Sequence, residues 1–119
     1  MLLYRTAATV KPPHPLVTAL PHAFYPESSW QDDMALGAAE IARAAQRLGD
    51  PAARYLHDSA RWARAYIDAH GTDTLNLYDT GALADLALAQ AMRAIPHHGA
   101  LAVSRHELIA NLGDQLRRG

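Results

Sequence analysis

Two short stretches of this 119-residue chain combine aromatic rings with carboxylates. Trp30 stands two residues before the pair Asp32 and Asp33, and Tyr78 directly precedes Asp79. Paired carboxylates can act as acid and base in sugar hydrolysis. A ring beside carboxylates can also bind a sugar, whose C–H face stacks on the ring while its hydroxyls donate to the acids. The same acids could instead stabilise helix starts through the helix dipole. These residues alone leave both interpretations open.

The histidines do not form a recognisable metal site. His106 and Glu107 begin like the zinc-protease helix, but Ala110 stands where the second histidine ligand would be needed. His97 and His98 are adjacent, so their rings diverge on a regular element. The chain has no cysteine, no phosphate-binding glycine–lysine loop and no glycine-framed catalytic serine. The sequence therefore predicts no metal and no cofactor, and it leaves the catalytic residues unassigned.

Charge and hydropathy restrict the partners. The 11 basic and 12 acidic side chains give a net charge of −1, without the basic excess of a nucleic-acid binder. The apolar start, residues 1–4, is too short for a signal peptide and is followed by Arg5. No stretch approaches the roughly 18 apolar residues of a membrane helix. We expect neither nucleic acid nor membrane as a partner, and a cytoplasmic location for the chain as given.

The order of residues predicts an all-α fold. Five of the seven prolines fall within residues 1–27, which predicts an extended N-terminal arm. Residues 28–119 form the predicted helical domain, with apolar stripes at helical spacing in four segments: about 30–48, 51–70, 79–94 and 104–118. The short connection Gly49–Asp50–Pro51 makes the first two helices an antiparallel hairpin, and the last two form a second one.

The helix faces and ends are also predicted. Ser28 and Ser29 are positioned to cap the first helix, and Ser104 with Glu107 matches a capping box for the last. On the third helix we expect five residues on the buried side: Leu83, Leu86, Ala87, Gln90 and Ala91. The chain contains 25 alanines and only 16 leucines, so much of its apolar fraction consists of the smallest side chain.

Four segments resemble the interior of glycoside hydrolase family nine, the inverting endoglucanases. They are YPESSWQDDMALGAAEIA at 25–42, LGDP at 48–51, ARWARAY at 60–66 and LNLYDTGALA at 75–84. The similarity extends from about Pro13 to the C-terminus. It implies that the helices are part of an (α/α)6 toroid, and that Trp30, Asp32, Asp33, Tyr78 and Asp79 can be compared with its glucan-binding cleft side. Full-length relatives are often secreted.

The family's catalytic motifs are missing. Its base lies in an Asp-x-Gly-Asp motif near the start of the domain and its acid is a glutamate near the end; this sequence has no Asp-x-Gly-Asp. We therefore carry over no catalytic residue. The resemblance implies an internal piece of a glucanase, starting at Met1, that associates with carbohydrate without the hydrolytic centre.

A piece of a toroid would expose helix faces that neighbouring helices once covered. Exposed apolar faces favour self-association, so we expect a homo-oligomer that binds glucan or a small sugar. Two alternatives remain open. One is a small oligomeric enzyme with a recruited activity on sugars or alcohols, an NAD-dependent dehydrogenase or a hydrolase, in an inter-subunit cleft with His97, His98 or Asp79. The other is a structural fragment without a ligand.

Overall fold

The computed structural model describes residues 2–7, 29–70, 75 and 79–119, and these residues form an all-α structure. They contain five helices: α1 (Leu2–Thr6), α2 (Gln31–Leu48), α3 (Ala53–His70), α4 (Gly81–Ala94) and α5 (Arg105–Arg118). The all-α prediction is confirmed for this part of the chain. None of these helices is both long enough and apolar enough to cross a membrane.

The α2–α3 connection follows the predicted turn chemistry, with one correction. Gly49 ends α2 in the left-handed conformation at φ 75°, where glycine carries no Cβ penalty. The Asp50 N–H then donates to the Ala45 carbonyl at 2.9 Å. Helix α3 begins at Ala53 and not at the predicted Pro51. At the other end of α2, the N-cap residue is Trp30 and not one of the predicted serines, and it makes no side-chain cap. The Ser29 hydroxyl, one residue before it, accepts from the Gln31 N–H at 3.0 Å.

Helix α2 lies at the centre of the core. It packs against both α3 and α4, and α4 also packs against α5. Its buried face consists of alanines that are wholly inaccessible to solvent: Ala35, Ala38, Ala39, Ala42 and Ala45. Larger side chains from the neighbouring helices complete the core, among them Leu56, Leu88 and Leu108. The Ser59 hydroxyl of α3 donates to the Ala35 carbonyl of α2 at 2.7 Å, which joins the two helices across this close contact.

The predicted N-terminal arm is wrong at its beginning. We expected residues 1–27 to be extended, but Leu2–Thr6 forms α1, which packs against α2. This segment contains no proline, and Tyr4 contacts the α3 ring of Tyr55 edge-on with 6.3 Å between centroids. Partial burial of the Tyr4 ring stabilises a helix too short to form alone. The remainder of the arm, residues 8–28, lies outside the described residues.

The predicted buried face of α4 is partly wrong. Leu83 and Leu86 are 60% and 42% exposed, and Gln90 is exposed too. Ala87 and Ala91 are buried as expected, together with residues on the neighbouring face that were not predicted: Gly81, Ala82, Ala84, Asp85, Leu88 and Ala89. Small side chains on this face meet the alanine face of α2, so the two backbones can approach closely. Contact between small side chains therefore decides which face of α4 is buried, and the larger Leu83 and Leu86 stay exposed.

The predicted capping box of α5 is confirmed. The Ser104 hydroxyl accepts from the Glu107 N–H at 3.2 Å, and the Glu107 carboxylate accepts from the Ser104 N–H at 2.8 Å. Arg64 of α3 donates both to this carboxylate and, at 3.1 Å, to the Ala102 carbonyl. Hydrogen bonds from the Ser104 backbone and from Arg64 lower the pKa of Glu107 to about 2. The start of α5 is thus fastened to α3.

Replacing Ser104 with alanine is expected to lower the free energy of unfolding by about 1 kcal/mol, because a helix N–H loses its acceptor. The pKa of Glu107 should rise towards its ordinary value at the same time, because the Ser104 hydroxyl also bonds its carboxylate. Urea unfolding and NMR titration of the glutamate carboxyl measure the two effects. Ser104→Thr keeps both hydrogen bonds and serves as the control. An alanine variant as stable as the threonine variant would contradict this role.

Candidate functional site

The starts of α2 and α4 meet at Thr80, the residue before α4. The Thr80 N–H donates to Asp32 Oδ2 at 2.7 Å. The Thr80 hydroxyl lies 3.2 Å from the same oxygen and 3.0 Å from Asp33 Oδ1. Thr80 makes no side-chain cap to its own helix. The acids of α2 instead bond Thr80. These hydrogen bonds join the starts of α2 and α4 across 47 and 48 residues of sequence.

Asp32 and Asp33 differ in their surroundings. Asp32 is only 1% exposed, and its second oxygen, Oδ1, has no hydrogen-bond partner in the described part of the chain. Asp33 is exposed. Partial desolvation of its carboxyl raises the pKa of Asp33, as do the nearby charges of Asp32 and Asp79, while the hydrogen bond from Thr80 opposes the rise. Asp33 therefore holds a proton at a higher pH than an ordinary aspartate does.

A single hydroxyl proton serves two carboxylates at this point. Thr80 can donate its one proton to Asp32 or to Asp33, but not to both at once. The cluster therefore has more acceptor oxygens than donors. Chemically, such a cluster accepts hydrogen bonds from hydroxyl groups, and a protonated Asp33 can donate one. The two helix N-termini favour the negative charge that the cluster carries.

The aromatic part of the predicted site is a pair of rings and not a single ring. Trp30 is half-buried and contacts Trp62 of α3 edge-on, with 5.1 Å between centroids and 65° between planes. The Arg61 guanidinium covers Trp62 at 4.3 Å from its ring centroid. The Trp30 ring is thus packed against α3, and only part of it is accessible. Tyr78 lies outside the described residues, so its predicted role stays a prediction.

The structure brings together the predicted residues Asp32 and Asp33, with Asp79 close enough for its charge to act on Asp33. Sequence reasoning missed Thr80, which links them. The signal was present, since a threonine directly before the first residue of a helix is a common N-cap type. Its bonding to acids on a different helix depends on how α2 and α4 pack, and no local pattern in the sequence encodes that packing.

The histidines lie away from this cluster. His97 has a left-handed backbone at φ 62°, and the ring of His98 lies 2.8 Å from the Gly99 carbonyl. Both follow the end of α4, while Asp79 precedes its start, about 20 Å away along the 14-residue helix. One chain therefore does not bring His97 and His98 to Asp79. Across residues 2–7, 29–70, 75 and 79–119, no three His, Asp or Glu side chains are grouped as ligands for a metal ion.

Fold and site together define an all-α protein with an acid cluster where two helix starts meet. The chain matches no protein-family model, no curated protein and no solved structure. The resemblance to glycoside hydrolase family nine therefore stays a prediction based on the quoted segments.

Replacing Thr80 with valine is expected to raise the pKa of Asp33 further, because the hydroxyl that stabilises its charged form is removed. Stability should fall by about 1 kcal/mol through the lost hydrogen bond. Carbon-detected NMR of the aspartate carboxyls, followed over pH, measures the change in pKa. Thr80→Ser keeps the hydroxyl and should leave the Asp33 titration unchanged. Equal titration curves for the valine and serine variants would contradict this interpretation.

Proposed function

We propose that the chain is a carbohydrate-binding, glucanase-like helical fragment that associates with sugar and does not cleave it. The observation that carries this proposal is the meeting of Asp32 and Asp33 with Thr80, where the charge of Asp79 also acts on Asp33. The resemblance had suggested Asp32, Asp33 and Asp79 as sugar contacts, and Asp79 lies in a distant part of the sequence. Their proximity supports a single site.

The acids have different roles in this proposal. Asp32 is buried and bonded to the Thr80 backbone, so it positions the start of α4 and does not contact the sugar. Asp33 is exposed and accepts hydrogen bonds from sugar hydroxyls. The accessible part of the Trp30 ring stacks against the C–H face of a pyranose. Because the motifs for the family's acid and base are absent from the sequence, we expect binding without hydrolysis.

The toroid resemblance extends this proposal to the arrangement of the helices. Two observations support it: α2 packs against α3, and α4 packs against α5. In the proposed arrangement these pairs are two antiparallel hairpins of an (α/α)6 toroid. The N-terminal ends of α2 and α4 then lie at one edge of the sugar-binding face. The acid cluster lies at these two ends.

Isothermal titration with cellotetraose tests the binding proposal. We expect saturable binding that Asp33→Asn weakens about tenfold, because a neutral amide replaces a charged acceptor. Asp114→Asn changes an exposed acid of α5 paired with Arg117, and should leave binding unchanged. Chromatography of the sugar after prolonged incubation should show no shorter products. Absence of binding, or equal weakening by both variants, would reject the proposal.

The exposed apolar residues of α4 support the proposed homo-oligomer. Leu83 and Leu86 lie three residues apart on one helix face, and both are more than two-fifths exposed. A second copy that packs against this face removes both leucines from water. We expect light scattering after size-exclusion chromatography to show an oligomer at micromolar concentration. Changing both leucines to lysine should yield the monomer, while Leu48→Lys, at the exposed end of α2, should not.

A stable wild-type monomer at that concentration would contradict self-association. A lysine variant that stays oligomeric would show that another surface forms the contact. The test is independent of sugar binding, because neither leucine belongs to the acid cluster.

A further inference from the structure

A cavity lies between α1 and the α2–α3 pair, outside the acid cluster. Its volume is about 290 Å³. Three helices supply its walls through the side chains of Tyr4, Arg5, Met34, Asp58, Arg61 and Trp62. This volume is at the lower end of the range for small-molecule sites, and it suits one ring with a substituent better than a chain of sugars. The cavity therefore fits a small ligand.

The walls of this cavity combine an apolar surface with positive charge. The Trp62 ring and Met34 are its apolar part. Arg61 lies over Trp62, and its ion pair with Asp58 is long at 3.6 Å and exposed, so the pair holds the guanidinium weakly. Arg5 forms no ion pair with any residue that the structure describes. The cavity lining thus contains two guanidinium groups and one carboxylate, Asp58.

The Trp62 indole belongs to the cavity wall and offers no free donor to a ligand. Its Nε1–H is shielded from solvent and interacts with the Tyr4 hydroxyl. The groups that remain for a ligand oxygen are the two guanidiniums, and these favour a charged acceptor.

We propose that this cavity binds a small ring that carries a carboxylate. The ring lies against Trp62 and Met34, and the carboxylate binds Arg61 and Arg5. A uronic acid and an aromatic acid share this chemistry. The proposal does not rest on the sugar-binding function, because none of the residues that line the cavity belongs to the acid cluster.

The indole N–H resonances of the protein report on the cavity directly. The chain has only two tryptophans, so Trp62 gives one of two such signals in a nitrogen–proton spectrum. We expect glucuronate, benzoate or both to shift the Trp62 signal saturably, and benzyl alcohol, which has no carboxylate, and inorganic phosphate to leave it unchanged at the same concentration. The acid that binds shows whether the ring is a sugar or an aromatic ring. Failure of both acids, or equal shifts with benzyl alcohol or phosphate, would overturn the proposal.

Two opposite substitutions test the charge recognition. Arg61→Gln should weaken binding of the carboxylate about tenfold or more, because one of its two cationic partners is removed. Asp58→Asn should strengthen binding, because Arg61 loses its competing carboxylate. A gain of affinity cannot arise from loss of folding, so this second variant keeps the test decisive. Arg93→Gln, at the end of α4, is the control. Unchanged or weaker binding by Asp58→Asn would overturn the proposal, whatever the outcome of the cellotetraose titration.

Discussion

Replacing Asp85 with asparagine is expected to stabilise the protein by about 4 kcal/mol at pH 8 and by little at pH 4, because burial raises the pKa of this carboxyl to about 7. Asp85 lies between α4 and α5 and is 1% exposed. Its carboxyl oxygen Oδ2 accepts a hydrogen bond from the Asn111 amide at 2.6 Å. An asparagine at position 85 can accept that bond without carrying a buried charge.

The pH dependence of this effect has a definite sign. In the unfolded chain Asp85 loses its proton near the ordinary aspartate pKa of 3.8, whereas in the folded protein it keeps the proton until about pH 7. Across that window the folded state binds more protons, so the free energy of unfolding of the wild type falls as the pH rises. Above pH 7 Asp85 is charged in the folded protein too, and the full loss of unfolding free energy is present. Below pH 3.8 it is absent, because both states are protonated.

Urea unfolding of both proteins between pH 4 and pH 8 measures this prediction. The difference between variant and wild type isolates Asp85, because every other titrating group is common to both. Asp114→Asn, an exposed acid on α5 paired with Arg117, should show no comparable difference. A stabilisation by Asp85→Asn that is the same at all pH values would show that the charge of Asp85 is not its cause.

Replacing Gly81 with alanine is expected to destabilise the protein by about 2 kcal/mol or more, through overpacking against a buried ring. A Cβ at this position would lie 2.5 Å from the hydroxyl, Cζ and Cε1 of Tyr66. Tyr66 is only 2% exposed and its ring stacks on His70, so the ring has little room to retreat. Because Gly81 directly follows Thr80, the displacement should also disturb the contact of Thr80 with Asp32.

Gly37→Ala is the matched control, since Gly37 lies inside α2 and its added Cβ would meet only Tyr4 Cδ2 at 3.9 Å. That variant should gain about 0.5–1 kcal/mol from the lower conformational freedom of alanine. Thermal and urea unfolding distinguish the opposite signs. In a double variant with Tyr66→Leu, the cost of Gly81→Ala should shrink. Equal costs in both backgrounds would show that Tyr66 is not the obstacle.

The elements that sequence reasoning predicted correctly are those fixed by local chemistry. Gly49 ends α2 because a left-handed residue is needed there, and Ser104 with Glu107 starts α5 through bonds between residues three apart. The face of α4 was partly wrong for the opposite reason. Hydrophobicity predicts that Leu83 and Leu86 are buried, but the face that touches α2 is chosen by how closely two backbones can approach. That choice depends on the alanines of α2, which are distant in the sequence.

The candidate site also combines features fixed by neighbouring residues with features fixed by the packing of distant helices. The acids Asp32 and Asp33 could be singled out because they are adjacent and stand at a helix start. Their contact with Thr80 could not, because it depends on how two helices separated in sequence come together. Asp85 is the clearest residue that pattern reading missed. It is a charged residue on the buried side of α4, and only its contact with Asn111 of α5 shows how it is accommodated.

The alanine face of α2 also constrains how this sequence can change over generations. Ala35, Ala38, Ala39, Ala42 and Ala45 are all wholly buried. Every replacement except glycine adds atoms where helices already touch. Most single substitutions there therefore enlarge the side chain and overpack the contact. Cores built from leucine or phenylalanine can shrink one side chain and enlarge its neighbour. This face offers no such exchange, so we expect its lineage to keep alanine, glycine and serine at these positions.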